Sequence, residues 1–517
     1  MAGARVPADE PRGVLPPARG ALQGWLIALA SLVVAIVGFR AFNRYTDSHP
    51  HFDSGVYMGV AEHLLRGKVL YRDVWDHKPP LVHVVNALAL SCGDRTVNSV
   101  RSAERWWAAA AGLAMFALGL LAFENLPVAV LASLVFLLHF YHPGIFRGNQ
   151  PEEFGSILTL AGLAACMGSM AAAGRRGVAL AAGSGLFFGL ASLSKETLVF
   201  GCLPWLAFLV WSPRCPRPGG RRRGLWFLAG LLAPVMVFGA YLVCNHATQA
   251  WLDVIRFNLH YARFDGEGAP NPGLVGLLAA GIGRGGQVLF SVSRITTIAA
   301  VAGAMSMFVP GFRRQTAGFP VATSAFFLAN LFGVSLARRY AYYYLQLVSS
   351  YVLLAACGLA LLCYLTRRRR WLAPVVTGVT ALALLAVDPK PSADFLRSLA
   401  HPRERWDVGA DRAAVVRALT RPDEPIWNLI RGGDWIYAMA DRLAPTRFLY
   451  LPAHLFRDLP DAEAARREIV SALETHPPRV VLCDEDRSAM TEAGLQDWFE
   501  HNYVPGPLPD VYVTRAK

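Results

Sequence analysis

Charge is scarce in this sequence. Only 17% of its 517 residues are Asp, Glu, Lys or Arg, where a water-soluble globular domain carries about 25%. Acids are the rarer kind, 37 against 50 basic residues. Cysteine pairing is absent as well. The eight cysteines, at 92, 166, 202, 215, 244, 357, 363 and 483, form no CxxC or metal-type spacing, and most fall inside apolar runs. They read as small packing residues and not as a disulfide framework. No HExxH, Walker loop, GxSxG or suitably placed GxGxxG occurs, so the sequence carries no signature of a zinc peptidase, P-loop enzyme, α/β-hydrolase or dinucleotide-binding unit.

Long apolar runs take the place of these features. Hydrophobic residues make up 54% of the chain and its mean hydropathy is +0.34. "LQGWLIALASLVVAIVGFRAF", from Leu22, is long enough to cross a hydrocarbon core of about 30 Å. Comparable runs follow at 105–123, 126–141, 154–173, 178–193, 198–212, 225–245, 288–309, 319–336, 342–365 and 371–387, which predicts about 11 spans. A large soluble core supplies a few such runs, not this many. Residues 1–21 are rich in Pro and Arg and read as a disordered cytoplasmic tail. The first span lacks a small-residue cleavage site and reads as a retained signal anchor.

Charge distribution orients the spans. With a cytoplasmic N-terminus, the inner loops (124–125, 174–177, 213–224, 310–318, 366–370) hold 13 Lys/Arg and one acid in 32 residues. The outer loops (43–104, 142–153, 194–197, 246–287, 337–341) hold 14 Lys/Arg and 13 acids in 125 residues. Runs such as "RPGGRRRG" and "TRRRR" therefore follow the positive-inside rule in one frame. The net charge of +13 is a topology signal, and a nucleic-acid partner is not expected. Residues 22–388 form the membrane domain. Residues 389–517 change character, with the helical "DRAAVVRAL" and the strand-like "RFLYL" and "RVVLCDE", and predict a small extracytoplasmic α/β domain.

The outer side also collects the unusual polar residues. "HFDSGVYMGVAEHLLRGKVLYRDVWDHKPPLVHVVNALAL" predicts an amphipathic helix opened by Asp53 as its N-cap, then a short interfacial helix begun by Pro79-Pro80. Lys78 precedes that second helix, where a cation gains nothing from the helix dipole, so it suggests an anion to hold. Phosphate suits a lipid headgroup boundary. Asp73, Asp76 and His77 read as shaping a turn. "RGNQPEEF" places Glu152 and Glu153 in the first turn of a span, where capping alone explains them as well. "LSKET" contributes Lys195 and Glu196. "ARRYAYYYLQL" contributes Arg338, Arg339, Tyr340, Tyr342, Tyr343, Tyr344 and Gln346, most of the tyrosines being read as an interfacial belt. "RFNLHYARF" adds Arg256, Asn258, His260 and Tyr261. Carboxylates able to take a proton from a hydroxyl, beside cations able to neutralise a leaving phosphate, fit group transfer from a membrane-embedded phosphate.

"DSGVYMGVAEHLLRGKVLYRDVWDHKPPL" resembles the first outer loop of bacterial polytopic glycosyltransferases of the GT-C superfamily. These include the protein mannosyltransferase-like, aminoarabinose transferase-like and lipopolysaccharide-core galacturonosyltransferase-like groups. "NQPEEF", "GLASLSKET" and "RRYAYYYLQL" resemble further family segments. The resemblance implies an α-helical polytopic GT-C-like fold and transfer of a sugar from a polyprenyl-phosphate donor to a lipid, glycan or protein acceptor at the outer face. It implies Asp53 as catalytic base and Glu152, with Glu153, assisting at the acceptor side. Lys78, Lys195, Arg338 and Arg339 would bind donor phosphate. Tyr57, His77, Tyr343, Gln346 and His260 would line the pocket. Many relatives pair two acids in the first loop; here Ser54 follows Asp53, so no metal and no cofactor are expected. A transporter of lipid-linked sugars and a non-catalytic envelope assembly protein are the competing readings.

Overall fold

The computed structural model describes residues 21–42, 52–212, 217–262, 273–338, 340–367, 389–400, 409–430, 432–450, 461–484, 490–491 and 494–515, with isolated positions between 375 and 383. All but the last residue of the expected tail at 1–21, nearly all of the expected span at 371–387, Cys215 and Arg339 lie outside the described residues.

The membrane part is a run of helices: α1 (Ala21–Ala41), α2 (Phe52–Leu65), α3 (Leu81–Cys92), α4 (Val97–Phe123), α5 (Leu126–Phe140), α6 (Pro151–Ala171) and α7 (Gly174–Ser194). These are followed by α8 (Cys202–Trp211), α9 (Arg217–Cys244), α10 (Thr248–Tyr261), α11 (Gly273–Val292), α12 (Arg294–Met305), α13 (Pro310–Gln315), α14 (Phe319–Ser335) and α15 (Leu345–Leu365). Among the described residues, seven helices are long and apolar enough to cross a membrane, and five shorter apolar helices accompany them. Local chemistry sets the breaks. Thr96 caps α4 through Asn98 N–H, and α4 stops where Glu124 turns to φ 52°. Asn125 then caps α5, with Pro127 in its first turn. Helices α7 and α9 cross at Gly185 and Gly230, where a Cβ on either would overlap the other helix's backbone. Small residues permit this approach, which apolar burial alone does not drive inside lipid.

Two expectations change here. The predicted span 288–309 breaks at Ser293, whose hydroxyl caps α12 by accepting Thr296 N–H. Much of the predicted 246–287 outer loop is helical, as α10 and most of α11. The glycines and Arg of "GIGRGG" depress hydropathy there and hid the helix from the sequence reading.

The C-terminal part adds α16 (Pro389–Ala400), α17 (Ala410–Leu419), β1 (Ile426–Asn428), α18 (Trp435–Ala440), α19 (Ala462–Thr475), β2 (Val480–Leu482), α20 (Gln496–Asn502), β3 (Tyr503–Pro505) and β4 (Val511–Thr514). Its sheet has the order β1-β2-β4-β3, with β1 and β2 parallel and the other pairs antiparallel. "RVVLCDE" supplies β2 as expected. "RFLYL" does not form a strand over 447–450, because its carbonyls accept from Trp75, Trp427 and Tyr437 and not from a neighbouring strand. Arg447 O accepts from Trp75 N–H at 2.8 Å, and Phe448 packs its ring on Trp75 at 5.7 Å.

That seating makes α2 something other than a surface helix. The sequence suggests an amphipathic helix lying on the interface, whereas residues Ser54 to His63 are buried without a break. The C-terminal part covers it. A Cβ at Gly55 would meet Gly432 O at 2.7 Å, and one at Gly59 would meet Asp434 O at 2.9 Å, so the two backbones touch only because both positions are glycine. Glu62, fully buried, pairs with Arg66 at 3.1 Å and Arg95 at 3.3 Å, and both arginines also pair with Asp441.

His63 closes the contact. Its Nε2 accepts Ala444 N–H at 2.9 Å, which puts the proton on Nδ1, the donor to Gly59 O at 2.8 Å. Burial depresses its pKa from the usual histidine range to about 4. Stability from the neutral ring is therefore complete above about pH 6.5 and is lost as pH falls from there towards 4, by up to about 3 kcal/mol. Burial pushes the Asp434 carboxyl the opposite way, up to about 8, so its contribution falls as pH rises over an overlapping range. The difference between wild type and His63→Gln isolates the histidine. Protease resistance of the C-terminal part is expected to decline more steeply in wild type than in the variant between pH 6.5 and 4.

Candidate functional site

The site is built around the loop from Leu70 to Pro80. Asp73 Oδ2 accepts Val69 N–H at 2.9 Å, and Tyr71, at φ 70°, donates its hydroxyl to Lys78 O at 2.9 Å. Asn258 of α10 donates to His77 O at 2.8 Å. Pro80 then begins α3, as expected. These bonds fix the backbone on both sides of Lys78, a residue only 7% exposed.

A second lysine meets it. Ser194 Oγ donates to Pro151 O at 2.7 Å, tying the end of α7 to the start of α6. Lys195 is thereby brought to 3.1 Å from Glu152. Tyr343, in the short 3-10 turn before α15, lies between the lysines: its ring centroid is 5.7 Å from Lys78 Nζ and 4.2 Å from Lys195 Nζ. Burial disfavours the charge on Lys78, but Tyr343, Asp53 and Glu152 outweigh it and hold its pKa above the ordinary lysine range. The side chain is therefore cationic at neutral pH. Arg338, 3% exposed, donates from Nε to Tyr261 O at 3.1 Å and stacks its guanidinium 3.3 Å from the Tyr261 ring centroid.

These three cations line a cavity of about 440 Å³. His77, Glu196 and Tyr343 line it too, and Val199, Phe200, Trp251, Ile255, Leu259 and Leu336 give it apolar wall. Such a shape accepts an anionic head with an apolar tail.

Asp53 lies close to Tyr342 and Lys78. Helix α2 starts at Phe52, so Asp53 lies inside its first turn and is not an N-cap. The side chain is half-buried and accepts from Tyr342 Oη at 3.3 Å. Tyr57, one turn along, is buried beside Asp53, Asp76, Glu152 and Tyr343, and its hydroxyl has no hydrogen-bond partner among the described residues. Gln346 accepts from Thr197 Oγ1 at 2.9 Å and braces the turn after Lys195. His260 does not line the cavity; its α10 neighbours Asn258, Leu259 and Tyr261 do.

The two adjacent glutamates part company. Successive helical positions point about 100° apart, and while Glu152 faces Lys195, Glu153 faces Glu104 in a separate buried cluster. There Arg101 pairs with Glu104 at 2.9 Å, and Asn149 N–H donates to Glu104. Asn149 Nδ2 reaches Ser54 Oγ and Asn86 Oδ1, both at 2.9 Å. The cluster joins α2, α3, α4 and α6 directly behind Asp53. Arg101 is 1% exposed, so Arg101→Ala strands buried carboxylates and is expected to destabilise by about 3–5 kcal/mol, seen as a lowered thermal midpoint in detergent.

Sequence reasoning missed His83 and, in the C-terminal part, Tyr450; it named Tyr261 and Glu196 without a role and gave Asp76 the wrong one. Asp76 was read as a turn residue. It is 1% exposed, with His77 Nδ1 at 3.4 Å, His83 Nε2 at 3.2 Å and Tyr450 Oη at 3.4 Å. Nothing in the local pattern pairs residue 76 with residue 450. Among the described residues, no group of three or more His, Cys, Asp or Glu is placed to hold a metal ion.

The same architecture occurs in solved membrane proteins. ArnT from Cupriavidus metallidurans bound to undecaprenyl phosphate superposes with a TM-score of 0.59 at 14% identity, over 96% of this chain and 98% of that one. Its apo state gives 0.56 at the same identity and coverage. The archaeal oligosaccharyltransferase AglB from Archaeoglobus fulgidus, in complex with an inhibitory peptide and a dolichol-phosphate, gives 0.51 at 12% identity over 96% of this chain and 75% of that one. No protein-family profile and no curated protein matches the sequence. The chain is a polytopic helical membrane protein of GT-C fold, with a small C-terminal sheet.

Proposed function

We propose that this protein transfers a sugar from a polyprenyl-phosphate donor to an acceptor hydroxyl. One observation carries the reading: three buried cations, Lys78, Lys195 and Arg338, line a cavity that holds a single acid, Glu196, and is otherwise largely apolar. That arrangement suits a lipid phosphate, whose headgroup needs charge and whose chain needs apolar surface. The fold likeness to ArnT bound to undecaprenyl phosphate supports it.

In this reading the acceptor hydroxyl attacks the anomeric carbon and Asp53 takes its proton. The bond between that carbon and the phosphate oxygen breaks, and its electron pair leaves with the polyprenyl phosphate. Lys78 and Lys195 neutralise the charge that develops there, and Glu152 holds Lys195 in place. Attack from the Asp53 side, opposite the leaving phosphate, inverts the anomeric centre. Arg339 belongs to the same proposal through its neighbour Arg338. Glu153 is assigned to the buried cluster and not to the chemistry. The basic loops face the cytoplasm, so the site and residues 389–517 lie outside it.

The direct test uses purified protein in lipid vesicles with radiolabelled polyprenyl-phosphate sugars and membrane extracts as acceptor. Label is expected to move onto lipid, glycan or protein. Movement of donor between leaflets without transfer to any acceptor would replace this reading with a transporter.

A further inference from the structure

His77 lines the same cavity as the three cations. His77 Nε2 is buried and has no hydrogen-bond partner among the described residues. The side chain is 12% exposed, and its Nδ1 faces Asp76 Oδ1 at 3.4 Å. Its ring is walled by Phe257, Tyr261 and Trp75, with centroids 5.3, 5.6 and 6.2 Å away. Asn258 holds the backbone from the α10 side at 2.8 Å. A ring packed on these sides and tied to its neighbours cannot swing round to find a partner. Leaving a buried polar atom unpaired costs about 1–3 kcal/mol, a cost that a ligand removes when it supplies the missing hydrogen bond.

The carboxylate decides what that ligand must offer. Asp76 on Nδ1 keeps the ring proton there, so Nε2 presents a lone pair. Lys78, Lys195 and Arg338 on the same wall suit phosphate oxygens, but a lone pair repels them. Nε2 needs a hydrogen-bond donor close to the phosphate, and on a polyprenyl-phosphate sugar that donor is a hydroxyl of the sugar. We propose that His77, oriented by Asp76, binds a ring hydroxyl of the donor sugar and so is a specificity-determining residue of the donor site. His83 and Tyr450 act through Asp76 as positioning residues. The C-terminal part thereby reaches the donor site through the Tyr450 contact at 3.4 Å. The inference rests on the glycosyltransferase reading above and names the part of the donor, beyond its phosphate, that the protein recognises.

Competition binding on the full chain in nanodiscs tests it, with labelled undecaprenyl phosphate as tracer. Competitors are unlabelled undecaprenyl phosphate, its mannosyl, glucosyl and galactosyl forms, and the monodeoxy analogues of whichever form binds best. Wild type is expected to bind one glycosylated form about five- to a hundredfold more tightly than bare lipid phosphate, the range that 1–3 kcal/mol implies. One deoxy analogue should lose that preference. His77→Phe should reduce it to within about twofold, read as the ratio of glycosylated to bare lipid affinity on the same preparation. His77→Gln, whose amide oxygen accepts a hydrogen bond, should retain part of it, and Tyr450→Phe should lose part. The proposal is overturned if His77→Phe keeps the preference, if it weakens bare lipid phosphate equally, or if wild type prefers no sugar. Failure of wild type to bind undecaprenyl phosphate at all counts against this proposal and the transferase reading together. Binding and transfer that persist with an indifferent His77→Phe count against this proposal alone.

Discussion

Exchange of Asp53 for Asn is expected to lower the rate of sugar transfer by a factor of about 10²–10⁴, the range that a positioned general base contributes. The substitution is nearly isosteric, so the Tyr342 contact at 3.3 Å survives and the first turn of α2 keeps its packing. Only the ability to take a proton is lost. Donor binding should not fall with it, because the negative charge of Asp53 sits near Lys78 and its removal frees that lysine for phosphate. Single-turnover rates and undecaprenyl phosphate binding, measured on one preparation, separate the two effects. An Asp53→Asn variant that transfers within about tenfold of wild type would falsify the base assignment. Asp53→Glu should also be slow, because the added methylene carries the carboxylate past the position that Tyr342 defines.

The second large effect belongs to Lys78. Lys78→Met keeps most of the side-chain volume and removes the charge. Truncating one partner of a buried, hydrogen-bonded charge pair costs about 2–5 kcal/mol, so affinity for undecaprenyl phosphate should drop between about thirtyfold and several thousandfold. Lys78→Arg should not restore it fully, since a planar fork does not substitute for a compact ammonium in a space already holding Arg338. Because the site is buried, the loss should change little between 50 and 500 mM salt, concentrations that screen exposed charge strongly. Comparable binding by wild type and Lys78→Met, or a loss that salt erases, would move the phosphate elsewhere on the protein. Lys195→Met offers a contrast: it also deprives Glu152 of its ion pair at 3.1 Å, so lower thermal stability should accompany the weaker binding.

Much of the architecture was readable in advance because its causes are local. Span-length apolar runs, the proline start of α3 and the cap-and-turn break between α4 and α5 each depend on a few adjacent residues. The errors have local causes too. Glycine and arginine lowered the hydropathy of α11, a serine cap split a continuous apolar run at Ser293, and "RFLYL" had the short apolar run of a strand while its carbonyls bond elsewhere. The burial of α2 could not be foreseen, since its apolar pattern resembles that of a helix lying on lipid, and only the C-terminal part covers its other face.

For the site, the sequence by itself determined which residues are costly to place in an apolar setting: Asp53, Lys78, Glu152, Glu153 and Lys195. A charge at the end of a hydrophobic segment carries a desolvation penalty wherever the chain folds, and that penalty is visible without coordinates. Tertiary structure alone decided how each charge is compensated. It turned Glu152 to Lys195 and Glu153 to Glu104, although the two glutamates are neighbours in sequence. It set Tyr343 between two lysines 117 positions apart. It also brought Tyr450 to Asp76 across 374 positions. Pairing depends on distance and direction in space, and beyond one helical turn the sequence specifies neither until the helices have packed.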